Sequence, residues 1–276
     1  MGPVQVVHRA AAYLERHGVE SPVATAERLL SHVLGTDRTG IYARDGLTTE
    51  ESKRFGRALC RRCAGEPLQH VTGEQAFRNV VLSMRPGVFV PRPETELLVE
   101  AALEQLRDVP GPVVADVGAG SGAVALAIKD ERPDATVLAT DLSADAVALA
   151  RENAERLGLA IEVFEGDLLE PLPPERRGGL DAVVANPPYV PIEDRDGLPP
   201  EVLAEPPLAV FGDGAIYTRL FAGAARWLRS DGRVVVEIEE RAAASVGRAA
   251  ADAGFVDVVV RPDLTGRDRV VTARRP

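Results

Sequence analysis

Two short segments of this 276-residue chain hold residue types whose spacing could do chemistry. The first, Val113-Val114-Ala115-Asp116-Val117-Gly118-Ala119-Gly120-Ser121-Gly122, reads as a buried strand running into a glycine-rich turn and then a helix. Glycine lets the backbone turn tightly and approach a ligand, and the first turn of the following helix presents unpaired N–H groups. Asp141 ends the next strand-like run, where a carboxylate can accept both hydroxyl hydrogens of a ribose. Strand, glycines, helix and acid in that order point to a nucleoside site lined by Gly118, Ala119, Gly120, Ser121, Gly122 and Asp141. The plainer reading is a structural tight turn with Asp141 capping the next helix; it explains the pieces but not their order. Which nucleoside stays open on the glycines alone. Gly118, Gly120 and Ala123 satisfy G-x-G-x-x-G/A and admit a dinucleotide, while Gly118, Gly120 and Gly122 give G-x-G-x-G behind the acidic Asp116.

The second segment is Asp181-Ala182-Val183-Val184-Ala185-Asn186-Pro187-Pro188-Tyr189. It places Asn-Pro-Pro-Tyr at the carboxyl end of a strand, the edge on which open α/β sheets bind ligands. Two consecutive prolines fix the backbone and donate no hydrogen bond, so their carbonyls can point rigidly at a ligand. Asn186 adds a side-chain carbonyl acceptor and Tyr189 a flat apolar face. Such a site is shaped to hold a planar –NH2 group between two acceptors. The lone pair of an amide or amino nitrogen is delocalised; acceptors on its hydrogens draw density back onto nitrogen and orient it for attack. The G-x-G-x-G version of the glycine loop resembles the first motif of S-adenosylmethionine-dependent methyltransferases. Asp167, after the third strand, matches the position where that family often contacts the adenine. With a sulfonium methyl as the electrophile, the product nitrogen sheds its proton readily and no dedicated base is needed. That suits a chain whose four histidines, His8, His17, His32 and His70, all precede these segments.

The elements that must position these residues follow from hydrophobic rhythm. Helical spacing runs through Val6–Leu14 and Ala24–Val33 and resumes from Phe55, with Thr48 and Glu51 spaced as a capping box and Gly65 where a helix would close. A connecting stretch mixes turn residues with β-like runs at Val80–Leu82 and Val88–Val90. From Val113 short β-rich runs (Val113–Val117, Thr136–Thr140, Ile161–Phe164, Ala182–Ala185, Val234–Ile238) alternate with helical ones (Ala123–Lys129, Ala144–Leu157, Ala215–Leu228, Ala242–Ala253). That is the pattern of a doubly wound α/β sheet. Phe255–Val260 and Arg269–Ala273 leave no room for a helix between them and should form an antiparallel edge hairpin. The expected division is residues 1–70, a helical domain; 71–92, a connecting segment with a short hairpin; and 93–276, the sheet domain.

Composition excludes several classes. A hydrophobic fraction of 45% with 27% charged residues is that of a globular chain, and no apolar run approaches the ~20 residues that span a bilayer. Residues 1–75 carry ten basic and nine acidic side chains, and the remainder 22 against 33, so no basic footprint marks a nucleic-acid binder. Cys60 and Cys63 form one C-x-x-C in an Arg-rich helical stretch, too few ligands for a structural zinc and best read as helix packing; no metal is expected. The expected location is the cytoplasm.

The remaining motifs narrow the resemblance. Gly65-Glu66-Pro67-Leu68-Gln69-His70-Val71-Thr72-Gly73, Phe77, Val90-Pro91-Arg92-Pro93-Glu94-Thr95-Glu96 and the tail Asp263-Leu264-Thr265-Gly266-Arg267-Asp268-Arg269 resemble the release factor glutamine methyltransferases of the HemK/PrmC type over essentially the whole chain. The resemblance implies a seven-stranded class I methyltransferase sheet preceded by a small helical domain that helps grip the protein substrate. It implies methyl transfer from S-adenosylmethionine to the side-chain amide of the glutamine in the Gly-Gly-Gln motif of peptide chain release factors. It puts Gly118–Gly122, Asp141, Asp167, Leu168 and Asn186 on the cofactor, and Asn186, Pro187, Pro188 and Tyr189 on the glutamine, with Asn186, Pro187 and Tyr189 catalytic. Release factors are then the partner, with no membrane and no stable nucleic-acid partner. Two stretches depart from the family's pattern. Phe211-Gly212-Asp213-Gly214 keeps one glycine of a usual pair, and Glu237-Ile238-Glu239-Glu240-Arg241 lacks the usual glycine and glutamine. A glutamine methyltransferase of a ribosomal protein shares every catalytic residue named, and a nucleic-acid amino methyltransferase is the more distant alternative.

Overall fold

The computed structural model describes residues Gly2–Pro276, which fall into two compact units. The first runs to Glu74 and takes in Met84–Pro86 and Leu198–Ala204. Its helices are α1 (Pro3–Arg16), α2 (Pro22–Leu34), α3 (Arg38–Tyr42), α4 (Thr49–Cys63) and α5 (Leu68–Thr72). Proline at the first position of α1 and α2 pre-sets the helical φ where no N–H is needed. The capping box at α4 is closed in both directions: Glu51 N–H donates to Thr48 Oγ1 at 3.2 Å, and Thr48 N–H donates to Glu51 Oε2 at 2.7 Å. Residues at helical spacing (Val7 and Leu14 on α1, Leu29 and Leu30 on α2, Phe55 on α4) meet in one apolar core with Ile41. Cys63 packs on that core, whereas Cys60 is exposed, so packing accounts for only one of the pair. The short α3, too brief to register as a periodicity, is tied by Asp37 Oδ1 accepting from Gly40 N–H. Leu198–Ala204 joins this unit through an ion pair between Arg62 and Glu201.

The second unit opens with a two-stranded hairpin, β1 (Glu74–Phe77) and β2 (Val80–Ser83). The buried Asn153 pins it: Oδ1 accepts from Ser83 N–H at 2.7 Å, and Nδ2 donates to the Ser83 and Ser121 carbonyls. Val88–Val90, expected to be β-like, forms no strand. The Val90 N–H donates instead to the buried carboxylate of Glu205, which takes it out of any ladder. After it come α6 (Thr95–Gln105), β3 (Val113–Val117), α7 (Ala123–Glu131), β4 (Thr136–Asp141), α8 (Ala144–Leu157), β5 (Glu162–Glu165) and β6 (Leu180–Ala185). The chain continues through the short α9 (Pro200–Leu203) and α10 (Pro207–Val210), then α11 (Ala215–Trp227), β7 (Leu228–Glu237), α12 (Ala243–Asp252), β8 (Val256–Pro262) and β9 (Asp268–Arg274).

Seven strands lie in the order β5-β4-β3-β6-β7-β9-β8, with β9 antiparallel to both β7 and β8 as the missing helix requires. The other neighbours are parallel. The central β3 and β6 are almost continuously buried, as strands covered on both faces are. Strand order reverses between β3 and β6, and that reversal opens a crevice at the strands' carboxyl ends. Among the described residues no helix is long and apolar enough to cross a membrane.

Candidate functional site

Register brings the two sequence segments together. Val117 is paired with Thr140 on one side and with Ala185 on the other, so the next residues, Gly118, Asp141 and Asn186, leave three adjacent strands level with one another. A cavity of about 280 Å³ opens there. Gly118, Ala119, Gly120, Ser121, Asp141, Asp167, Leu168, Asn186, Pro187 and Pro188 all line it. Gly122 and Tyr189 do not.

Gly118, Gly120 and Gly122 take φ of +77°, +55° and +84°, the left-handed region where a side chain is strained. A Cβ on Gly118 or Gly120 would meet almost nothing, so these two leave open space for a ligand. On Gly122 it would lie 3.2 Å from Ala150 Cβ and 3.1 Å from Leu126 Cδ1. Gly122 therefore serves the packing of α7 on α8. Behind the loop, the buried Asp116 accepts from Ala125 N–H at 3.0 Å inside the first turn of α7. Burial pushes its carboxyl up to about 7, the Ala125 N–H pulls it back and Asp141 adds to the rise.

Asp141 organises the cavity floor. Its Oδ2 accepts from Gly120 N–H and its Oδ1 from Ser143 N–H, each at 2.8 Å. Burial raises its pKa, opposed by these backbone donors. Each oxygen keeps a lone pair for a ligand hydroxyl. Asp167 sits at the rim in an ion pair with Arg219, and Leu168 takes φ +48° with its side chain against the sheet's hydrophobic core.

The Asn-Pro-Pro-Tyr segment presents two acceptors. Asn186 Nδ2 donates to Thr95 Oγ1 at 3.2 Å, while neither Asn186 Oδ1 nor the Pro187 carbonyl accepts a hydrogen bond among the described residues. Tyr189 turns away from the cavity: its ring packs on the sheet core and its hydroxyl points at Glu237 Oε1, 3.5 Å off. Burial, then the charge of Glu237, lifts its pKa to about 12, so it stays a neutral phenol.

Sequence reasoning missed the residues that hold this wall. Glu205 Oε1 accepts from Val90 N–H, and its carboxylate pairs with Arg92, whose guanidinium lies 4.7 Å over the Phe89 ring. The cavity-lining stretches 87–91 and 206–209 are thereby locked together. Thr95 and Glu237, 2% and 1% exposed, sit beside Asn186. A signal was present in each case, a charged or polar residue flanked by prolines or ending an apolar strand, but its partner lies far off in sequence.

Gly212 clamps the segment from outside. Its N–H donates to the Val190 carbonyl at 2.9 Å and Val190 N–H to the Val210 carbonyl at 3.1 Å. A Cβ on Gly212 would fall 2.0 Å from the Pro188 carbonyl oxygen.

Two family models match the chain: the PrmC N-terminal domain over residues 5–73 and the methyltransferase small domain over residues 79–198. The release factor glutamine methyltransferase of Deinococcus radiodurans is 44% identical over 272 residues, covering 97% of this chain and 96% of its own. That of Moorella thermoacetica is 42% identical over 279 residues, covering 98% of each. Among solved structures, the ribosomal protein L11 methylase of Lactobacillus delbrueckii subsp. bulgaricus aligns with a TM-score of 0.52 at 24% identity, over 70% of this chain and 84% of that one. That likeness shows a shared fold.

Substituting Gly212→Ala forces the backbone of residues 187–190 to move, since a carbonyl oxygen cannot yield as a flexible side chain would. The expected cost is about 1–3 kcal/mol of stability in urea unfolding, with a loss of any activity the Asn186 wall supports. A variant as stable as the parent would show that the clamp is not rigid.

Proposed function

This chain belongs to the release factor glutamine methyltransferase family, and from that premise we propose that it transfers a methyl group from S-adenosylmethionine to the N5 side-chain nitrogen of the Gly-Gly-Gln glutamine in peptide chain release factors. The observation that carries the reading at the site is the pair of unused acceptors, Asn186 Oδ1 and the Pro187 carbonyl, on the cavity that the glycine loop also lines.

The residues fit the cofactor. Gly118 and Gly120 leave the space a Cβ would take, and Asp141 offers carboxylate lone pairs for the ribose. Asp167 and Leu168 border the same space for the adenine. Bound there, S-adenosylmethionine supplies a methyl group on a positively charged sulfur. The protein's part is to prepare the nitrogen. Asn186 Oδ1 takes one amide hydrogen and the Pro187 carbonyl the other, while Pro188 borders the same pocket. Both acceptors gain strength as positive charge develops on that nitrogen, so they favour the transition state over the bound substrate. A carboxylate has no hydrogens to give and would set oxygen against oxygen, which makes the site selective for glutamine over glutamate. The Tyr189 ring, expected as a wall for the amide, packs on the sheet core and does not border the cavity. We further propose that the helical unit, residues 1–70 in the sequence-based division, grips the body of the release factor. The enzyme then works in the cytoplasm and has no stable nucleic-acid partner, a reading of partners that the acidic balance of the sheet domain supports.

Three measurements test this. Asp141→Ala removes a charge-assisted acceptor and frees Gly120 N–H; cofactor affinity by calorimetry should fall about 10- to 100-fold, and an unchanged affinity removes Asp141 from the ribose site. Asn186→Ala should lower kcat by roughly 10²–10³-fold on a release factor labelled from S-adenosylmethionine, and changing the target glutamine to glutamate should abolish labelling. Near parental turnover, or label on another residue, overturns the mechanism. A fragment starting at Gln75 should bind cofactor but lose kcat/KM on the intact factor; equal kcat/KM refutes a gripping role for the helical unit.

A further inference from the structure

We propose that Thr95 and Glu237 are positioning residues that fix which end of the Asn186 carboxamide faces the substrate; the inference rests on the methyl-transfer reading above. A carboxamide is nearly symmetric in shape, and exchanging its oxygen and nitrogen turns an acceptor into a donor at almost no packing cost. Nothing in the Asn-Pro-Pro-Tyr segment itself decides between the two. With Nδ2 toward the cavity, Asn186 would set N–H against the substrate –NH2 and the site would fail.

The neighbours decide it. Ala185 is paired with Val236, so the next residues, Asn186 and Glu237, end adjacent parallel strands side by side. Thr95, the first residue of α6, is buried against both. It accepts from Asn186 Nδ2 at 3.2 Å, and its hydroxyl is the polar side chain that most offsets the burial of the Glu237 carboxylate. A hydroxyl has one hydrogen. Given to an ionised carboxylate, which can only accept, that hydrogen leaves Thr95 Oγ1 as an acceptor toward Asn186. Nδ2 must then face Thr95 and Oδ1 must face the cavity. The order of donors Asn186 → Thr95 → Glu237 is set by the one group in the chain that has no hydrogen of its own.

The Glu237 carboxylate is itself closely held. The Tyr189 hydroxyl lies 3.5 Å from Oε1, Arg269 on β9 favours its charge, and Glu94, just before α6, opposes it. On α11 the Tyr217 hydroxyl donates to the Glu237 backbone carbonyl at 3.0 Å and fixes the strand end. Arg92 reaches the same cluster through its effect on Tyr189. Glu237 Oε2 has no hydrogen-bond partner among the described residues, which leaves room for the Thr95 hydrogen. Burial lifts the Glu237 carboxyl to about 7. Below that pH it carries a proton that it can give to Thr95. Thr95 can then donate to Asn186, and the carboxamide is free to flip.

The test compares the full-length parent with Thr95→Val, Thr95→Ser and Glu237→Gln. Methyl transfer to a release factor is followed between about pH 6 and 9, and the Asn186 side-chain amide is followed by NMR hydrogen exchange in the cofactor-free protein. Asn186→Asp assigns that resonance. Thr95→Val should lose at least about tenfold in kcat, the size of one buried hydrogen bond, with KM for the release factor little changed. Its Asn186 amide protons should exchange faster. Thr95→Ser, which keeps the hydroxyl, should recover both. The parent's kcat should fall as pH drops through about 7, and Glu237→Gln, which does not titrate, should lose that acid limb. Parental kcat and exchange in Thr95→Val, or an unchanged acid limb in Glu237→Gln, overturns the proposal. A parent that binds S-adenosylmethionine but labels no release factor defeats the functional reading instead, and the amide exchange still decides the orientation.

Discussion

The register of four parallel strands is the constraint on which the site depends. Because β3, β4, β6 and β7 pair so that Val117, Thr140, Ala185 and Val236 are level, the chain leaves the sheet at four neighbouring points. Those points are Gly118, Asp141, Asn186 and Glu237. Side chains alternate along a strand, so a slip of one residue in any pair would turn a buried set outward and retract one of these ends from the crevice. The nearly continuous burial of β3 and β6 on both faces makes such a slip costly. The sheet's apolar core thus fixes the alignment of polar groups it does not touch.

Burying carboxylates at and just before these ends runs against stability. Asp116 and Glu237 both carry pKa values raised to about 7, burial being the first cause in each. An acid raised in the folded state binds its proton more tightly there than in the unfolded chain. Its contribution is therefore full below the unfolded value, near 4, and is lost as pH rises toward 7. At neutral pH neither group is kept for stability. Asp116 fastens the first turn of α7 beneath the glycine loop, and Glu237 faces Thr95, so both act by aiming backbone or side chain at the cavity.

What was legible in the sequence was local. Glycines at Gly118 and Gly120, an acid ending a strand at Asp141 and two prolines after Asn186 each announce themselves within ten residues, and so do the strands that carry them. The capping box at Thr48 and Glu51 is of the same kind. The features that escaped depend on chain brought in from elsewhere. Thr95 stands 91 positions from the asparagine it bonds, and Glu205 stands 115 from Val90. Val88–Val90 has β-forming residues but no strand, because a distant carboxylate claims its N–H. Helix α6 went unread because its apolar residues come in runs, Leu97-Leu98-Val99 and Ala101-Ala102-Leu103, that blur the helical period, although Leu98, Val99, Ala101 and Ala102 bury on one face. Tyr189 reads as a wall for the substrate in isolation, yet the packing of the sheet draws its ring to the core.

The two departures from the family's sequence pattern take on different weights once the packing is known. Of the usual glycine pair the chain keeps one, Gly212, whose Cβ would strike the Pro188 carbonyl. The steric requirement is thereby met in full, and the missing glycine costs the clamp nothing. Beyond β7 the segment Glu239-Glu240-Arg241 closes on itself instead, with Arg241 N–H and guanidinium both donating to the Glu239 carboxylate at 2.8 Å. That turn lies past Glu237 and contributes no residue to the cavity. The second departure therefore lies where the backbone runs free of the crevice, whereas Gly212 stands where a carbonyl on the site's own loop leaves no space for a side chain.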